Sequence, residues 1–292
     1  MQELGKSFCT AQYIAQFACE MEPEITMASS KLPGVFITET KNGKKLYRAS
    51  ITHKRKHISL GSFSGAQKAS VAYTEARHVL TDPGCTIHSF RESVTALPFE
   101  KYVSLVNLRD HGIYIANPIY LEKTTFTYYL SPDLALTFDT DDLFYYSQHK
   151  ITKRGGHLFV ADYGSQISVP SRYGIKNYAV PGRDYRFVNG DPYDFRHENI
   201  EIFNPYYGIR KIQKKDQERF QARVHIRSYY VVGDYPTMEL AAIAYNKAVD
   251  ILHYNGFTKN YPVNYIDDMS PKKYADLYAD LRINDVIYAL RP

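Results

Sequence analysis

The chain contains no tryptophan, and its three cysteines, Cys9, Cys19 and Cys85, stand far apart. Thiols spaced this way make neither a disulfide framework nor a close-set metal pattern, which implies a reducing compartment, most simply the cytoplasm. No stretch approaches the roughly 18 apolar residues of a membrane span. The weakly apolar run "SFCTAQYIAQFACEMEPE" is broken by glutamines and shows no clear cleavage site, so a signal peptide is not expected. Gly-rich phosphate loops and nucleophile elbows are missing too. The ten histidines show no HxH or HExxH spacing, so neither a metal nor a cofactor is expected. Asp141 and Asp142, taken as neighbours on a strand, would point to opposite faces, which suits surface charge better than paired acid–base work.

What is present describes a folded protein. The chain has 292 residues, 44% hydrophobic and 23% charged, enough for two domains or three small ones. Its net charge is only +5, so the distribution says more than the total. Residues 41–57 carry Lys41, Lys44, Lys45, Arg48, Lys54, Arg55 and Lys56 with no acid among them. Residues 210–227 carry Arg210, Lys211, Lys214, Lys215, Arg219, Arg223 and Arg227 against Asp216 and Glu218. The stretch from Asp133 to Asp142 is acidic instead. Two basic islands suit a polyanion held at two places, although either alone could be a solvated surface. The 27 tyrosines supply apolar bodies with polar tips, useful in a core and against nucleic acid alike.

The chain also resembles itself. "LGSFSGAQKASVAYTEARHVL" (60–80) aligns without gaps on "VGDYPTMELAAIAYNKAVDIL" (232–252), with Gly61/Gly233, Ala69/Ala241, Ala72/Ala244, Tyr73/Tyr245, Ala76/Ala248 and Leu80/Leu252 identical. Spacings of three and four predict a helix whose alanines allow close packing. Ser64 and the Pro236–Thr237 pair stand where the helices would start. Alternating strands precede each helix: "PGVFIT", "YRASIT" and "HISLGSF" in the first copy, "YYGIRKI", "FQARVHIR" and "YYVVGDY" in the second. Each copy therefore reads as β-β-β-α, one sheet face against the helix and the other polar and basic. A small sheet of that kind can enter the DNA major groove.

The series Gly-Val/Ile, aromatic-x-Ala-x-Ile/Val, Leu/Val-Gly-x-Phe/Tyr and Ala-x-x-Ala-Tyr-x-x-Ala resembles the Apetala/ethylene-response-factor DNA-binding domain, whose prokaryotic relatives accompany HNH homing endonucleases. The resemblance covers 33–80 and 206–265. It implies that the exposed strand face reads base edges, mainly through arginines. In the second copy that places Arg210, Lys211, Arg219, Arg223, His225, Arg227, Tyr229 and Val231 at double-stranded DNA. In the first copy it places Arg48, Ser50, Thr52, His57 and Ser59 there, with Phe36 where an arginine is usual. Lys44, Lys45, Lys54, Arg55 and Lys56, on turns, suit phosphate contact.

Between the copies, a Tyr/Phe-rich stretch shows no obvious helical periodicity. "DDLFYYSQHKITKRGGHLFVADYGSQISV" reads as two strands joined at Arg154–Gly155–Gly156. "YRFVNGDPYDFRHENIEIF" (185–203) resembles the metal-binding end of an HNH nuclease, with a helix starting near Asp194. Such a site needs a histidine base and ligands for one divalent cation. Here Phe187 and Arg186 hold those places, Phe195 replaces the usual asparagine, and "SVPSRYG" lacks its histidine. Phenylalanine neither accepts a proton nor binds a cation. His157 and His197 lie at the wrong spacing to substitute. "SPKKYADLYADL" (270–281), with Ser270 as cap and Pro271 in the first turn, reads as a closing helix on the second copy.

The expectation is an α+β chain: an N-terminal segment (1–30), a first β-β-β-α unit (31–90), a degenerate HNH-like ββα middle domain (91–204), and a second β-β-β-α unit with a C-terminal helix (205–292). Its expected role is non-catalytic, sequence-specific DNA binding in transcriptional control, of bacterial or phage origin, in the cytoplasm at the nucleoid. A homing endonuclease with a rearranged site and a phage-type protein-binding inhibitor are the alternatives.

Overall fold

A computed structural model describes residues 32–39, 44–162 and 164–292. The N-terminal segment, with Cys9 and Cys19, and Lys41 lie outside the described residues. The structure is mixed α+β, with four three-stranded antiparallel sheets and one two-stranded sheet among the described residues. It divides into two compact units. One runs to Val169 and includes Asp191–His197; the other comprises Pro170–Gly190 and Glu198–Pro292.

The first unit opens with β1 (Val35–Glu39), β2 (Lys45–His53) and β3 (Lys56–Phe63), in that sheet order, followed by α1 (Ala66–Thr81). Alternation sends Ala49, Ile51, Ile58 and Leu60 into the core, where Ala69, Ala72, Ala76 and Val79 of α1 meet them with no exposed surface left on the alanines. Ser64 is not the cap. α1 starts one residue later, with Gly65 at the N-cap and no side-chain hydrogen bond.

A short helix α2 (Phe90–Ser93) and the longer α3 (Phe99–His111) follow. Tyr102, Leu105, Val106 and Leu108 of α3 join the same core as α1. Next come the sheet β4 (Ile119–Leu121), β5 (Thr125–Ser131) and β6 (Leu134–Asp139), helix α4 (Leu143–Gln148), and the sheet β7 (Ile151–Arg154), β8 (His157–Asp162) and β9 (Ser165–Ser168). The β7–β8 turn is the Arg154–Gly155–Gly156 corner, with both glycines at positive φ (54° and 85°), as a tight twisted hairpin requires. The middle region is thus partly helical, and the two expected strands gain a third. Asp141 and Asp142 do not lie on a strand; they sit in a 3-10 turn, Thr140–Asp142.

After α5 (Val169–Arg172), the segment 185–203 forms a hairpin of β10 (Tyr185–Phe187) and β11 (Ile200–Ile202). No helix starts at Asp194. The Asp194 carboxylate accepts from the Arg196 N–H at 3.1 Å and pairs with its guanidinium at 2.7 Å. Phe195 donates its N–H to the Thr137 carbonyl at 2.8 Å, and its ring stacks on Phe138 at 5.5 Å. Long-range pairing and ring burial hold the backbone extended where the local pattern suggested a helix start.

The second unit repeats the first architecture: β12 (Ile209–Lys214), β13 (Gln217–His225), β14 (Tyr229–Tyr235) and α6 (Met238–Tyr254). Thr237 caps α6 by accepting from the Leu240 N–H at 3.3 Å. Ile209, Ala222, Val224 and Val232 pack on Ala241, Ala244 and Ala248. The chain closes with α7 (Pro271–Asp280), capped by Ser270, and α8 (Asp285–Ala289).

Candidate nucleic-acid interface

The outward face of β12–β14 is an arginine surface with internal order. Strand register sets Arg210, Gln221 and Asp234 side by side across the sheet. Arg210 donates from Nε and Nη2 to Gln221 Oε1 at 2.9 and 2.6 Å, and Gln221 Nε2 donates to Asp234 Oδ1 at 2.8 Å. Lys214 Nζ donates to Asp234 Oδ2 at 2.8 Å, and Arg219 Nη2 donates to the Asp234 carbonyl at 2.9 Å. The Lys214 hydrogen bond holds the Asp234 carboxyl below its ordinary range, outweighing the opposing effect of burial. Lys211 departs from the expected outward placement: it alternates onto the helix-side face with Ile209, opposite Phe220, and pairs there with Glu218.

Arg223 stands apart from this network. Its guanidinium lies 4.6 Å from the Tyr229 ring centroid, and its Nε is buried without a hydrogen-bond partner. Burial, then the neighbouring Arg210 charge, lowers its pKa, so a negative partner would relieve both. His225 meets Tyr229 edge-on at 4.8 Å. Tyr229 and Val231 are exposed. Arg227 is exposed as expected, but in the turn after β13 rather than on the strand.

The corresponding face of the first unit has different contents. Arg48, Thr52, His57 and Ser59 are exposed on it, and Phe36, opposite Arg48, is 56% exposed. Ser50 departs from the expected outward placement: it is only 8% exposed. A register shift lies beside it, between Ala49 and Ser50, but the second unit has the same shift before Arg223, so the shift alone does not account for the burial. Lys54 and Arg55 form the β2–β3 corner at φ 46° and 66°, with Lys56 next to them over the Tyr114 ring at 4.7 Å. Lys44 is exposed before β2. Lys45 is not on a turn but begins β2, opposite Glu39.

In the middle region, Phe195 is 1% exposed, in an aromatic cluster with Phe126, Phe138 and Tyr146. Arg186 pairs with Glu201 at 2.7 Å, so its charge serves the β10–β11 hairpin. His197 Nε2 lies 3.9 Å from Asp142 Oδ2, and His157 sits at the exposed start of β8. Two groups escaped the sequence reading. Glu75, on α1, is buried and accepts the Thr95, Ala96 and Leu97 N–H groups at 2.6, 3.1 and 2.7 Å. His78, Asp82 and Cys85 converge at the end of α1, their donor atoms all within 4.8 Å of one another. The only signal for the latter was the spacing His-x3-Asp-x2-Cys, which crosses a helix end and matches no familiar ligand motif.

No protein-family model matches the chain, and no curated protein matches it. No helix among the described residues is long and apolar enough to cross a membrane.

Proposed function

We propose that the chain is a sequence-specific double-stranded DNA-binding protein without catalytic activity, a cytoplasmic, nucleoid-associated transcriptional regulator of bacterial or phage origin. The observation that carries this reading is the outward face of β12–β14, where Arg210, Arg219 and Arg223 stand on a rigid sheet backed by an alanine-lined helix. An arginine so placed can donate two hydrogen bonds to a guanine edge, worth roughly 1–3 kcal/mol against the wrong base. Arg223 is the first candidate reader, because it stands outside the row that engages Arg210 and Tyr229 supports its guanidinium plane from one side. Lys54, Arg55 and Lys56 in the first unit suit phosphate. The β10–β11 hairpin and the Phe195 cluster serve the fold, since Phe195 fills a core rather than lining a cleft.

Selection of bound duplexes from a random pool tests the reading, followed by the same selection with Arg223→Ala. The variant should lose about ten- to a hundredfold on the preferred site and relax one base position, while nonspecific binding barely changes. Equal loss on both would make Arg223 a phosphate clamp. No duplex should be nicked in magnesium or manganese; metal-dependent nicking lost in His157→Ala or His197→Ala would make the protein a nuclease instead.

A further inference from the structure

We propose that His78, Asp82 and Cys85 form a binding site for one zinc-class divalent cation, independent of the DNA-facing strands. His78 and Asp82 stand one helical turn apart at the end of α1, and the Pro83–Gly84 turn brings Cys85 back to them. His78 Nε2 is 3.5 Å from Asp82 Oδ2, and Cys85 Sγ is 3.9 Å from the same oxygen. A tetrahedral zinc with bonds of about 2.0–2.3 Å has ligand-to-ligand edges of roughly 3.3–3.6 Å. Two edges are therefore already within a few tenths of an ångström of that figure, and the third needs a modest closure.

The surroundings hold the three ligands in place. Asp82 Oδ1 accepts the Gly84 N–H at 2.8 Å, which turns Oδ2 toward both His78 and Cys85. Arg109, from α3, donates through Nη1 to the carbonyls of Val79, Asp82 and Cys85 at 3.1, 2.6 and 2.8 Å, pinning the backbone that carries the ligands. Its charge does not oppose a cation at full strength, because Asp110 pairs with it through both carboxylate oxygens at 2.6 and 3.0 Å. Cys85 is fully buried, whereas the His78 and Asp82 side chains are about a third exposed (32% and 29%). The site is thus reachable from solvent along the His78 and Asp82 side. Imidazole, carboxylate and thiolate together favour zinc over magnesium or calcium, which prefer all-oxygen shells. On binding, the Cys85 thiol releases its proton to solvent.

Cobalt titration of the full chain, first stripped with a chelator, tests the site. One equivalent should give tetrahedral d–d bands and a thiolate-to-cobalt charge-transfer band, both abolished by adding zinc. Cys85→Ser should remove the charge-transfer band, and His78→Gln and Asp82→Asn should each weaken cobalt binding tenfold or more. A wild-type chain without the band, or a band that survives Cys85→Ser, overturns the proposal. Should Cys85→Ser fail to fold, Asp82→Asn decides: unchanged cobalt affinity in that variant overturns the site, and a tenfold loss supports it.

Discussion

Gly34 and Gly208 precede the first strand of each β-β-β-α unit, and counting from them sets Phe36, Arg48 and Ser62 against Arg210, Gln221 and Asp234. In the second unit these positions form a hydrogen-bonded row that orders an arginine. In the first, a lone Arg48 stands between an exposed phenylalanine and a serine. Ser50 similarly takes the place of Arg223: the N–H of each donates to the carbonyl of its unit's glycine, at 2.9 and 2.8 Å. The helices differ in a complementary way. Glu75 and Lys247 occupy the same position of the repeat. Glu75 accepts N–H groups just before α3 begins, while Lys247 Nζ donates to the carbonyls of Tyr278, Ala279 and Leu281, where α7 ends, at 2.8, 3.2 and 2.8 Å. A helix presents N–H groups at its start and carbonyls at its end. The charge at one shared position has thus followed the polarity of whichever helix covers it. The repeated core stays constant, while the outer face and the helix covering each copy diverge.

The largest expected effect tests the shared core. Gly208 sits at φ +75°, and a Cβ there would meet the Arg223 carbonyl oxygen and the Tyr245 ring at 2.6 Å. Gly208→Ala should cost about 4 kcal/mol, combining left-handed strain with over-packing. Gly34→Ala, at φ +71°, would bring its Cβ to 2.1 Å from the Tyr73 ring, but that ring is half-buried and freer to shift than the fully buried Tyr245, so the cost should be less. Urea unfolding of both variants checks the order; equal losses would mean that the backbone contact in the second unit matters little.

The covering helices come next. Glu75→Ala strands three backbone N–H groups and should cost about 2–4 kcal/mol, read as faster amide exchange at residues 95–97. Lys247→Met leaves carbonyls nearer to water and should cost about 1 kcal/mol. A larger loss at Lys247 would defeat the idea that burial, and not charge sign, sets the difference.

Much of this was legible along the chain, and the exceptions have physical causes. The paired units show because strand alternation and the alanine stripe are local patterns. Helix α3 was hidden because every residue from Tyr102 to Leu108 is buried. A helix covered on all sides has no polar face to mark its period. Asp194 resembled a helix start until its carboxylate was seen on Arg196 and its neighbour Phe195 on Phe138, partners that local spacing does not reveal. Ser50 was read as exposed because alternation gives the face a residue points to and not how far its neighbours cover it. Within the candidate interface, the outward placement of Arg210, Arg219 and Arg223 could be read from period two, which also puts Lys211 on the helix side. The Arg210–Gln221–Asp234 row could not, because it depends on register between strands.

A smaller effect concerns the β2–β3 corner. Tight hairpins of this twist favour Asn-Gly, because both central residues take positive φ. Lys54 and Arg55 adopt that conformation without glycine's freedom, so the positive charge is kept at a conformational cost. Lys54→Asn with Arg55→Gly should raise stability by about 1 kcal/mol. If both cations contact phosphate, the salt dependence of DNA binding should flatten by roughly 1.8 in log–log slope, at about 0.9 per contact. A more stable variant with an unchanged slope would remove this corner from the DNA interface and sharpen the contrast between the two copies.

The smallest effect is on the acid side and separates the copies by pH. The Asp234 carboxyl is held below its ordinary range in the folded chain, first by Lys214 and also by Gln221. A carboxyl depressed in this way contributes stability above its unfolded pKa of about 3.9, and that contribution disappears as pH falls through the folded value. The first copy has Ser62 at this place and carries no such dependence there. Between about pH 5 and pH 2, amide exchange in β13 and β14 should therefore accelerate more than in β2 and β3. The paired Lys214 ammonium is largely exposed (59%), so the contribution is modest, about 0.5–1 kcal/mol. Asp234→Asn should remove the acid-dependent part of the difference while keeping an acceptor for one of the two donors, Lys214 or Gln221. If the variant retained the full acid sensitivity of the second copy, the row joining Arg210 to Asp234 would not be its source, and another carboxylate of that unit would have to be.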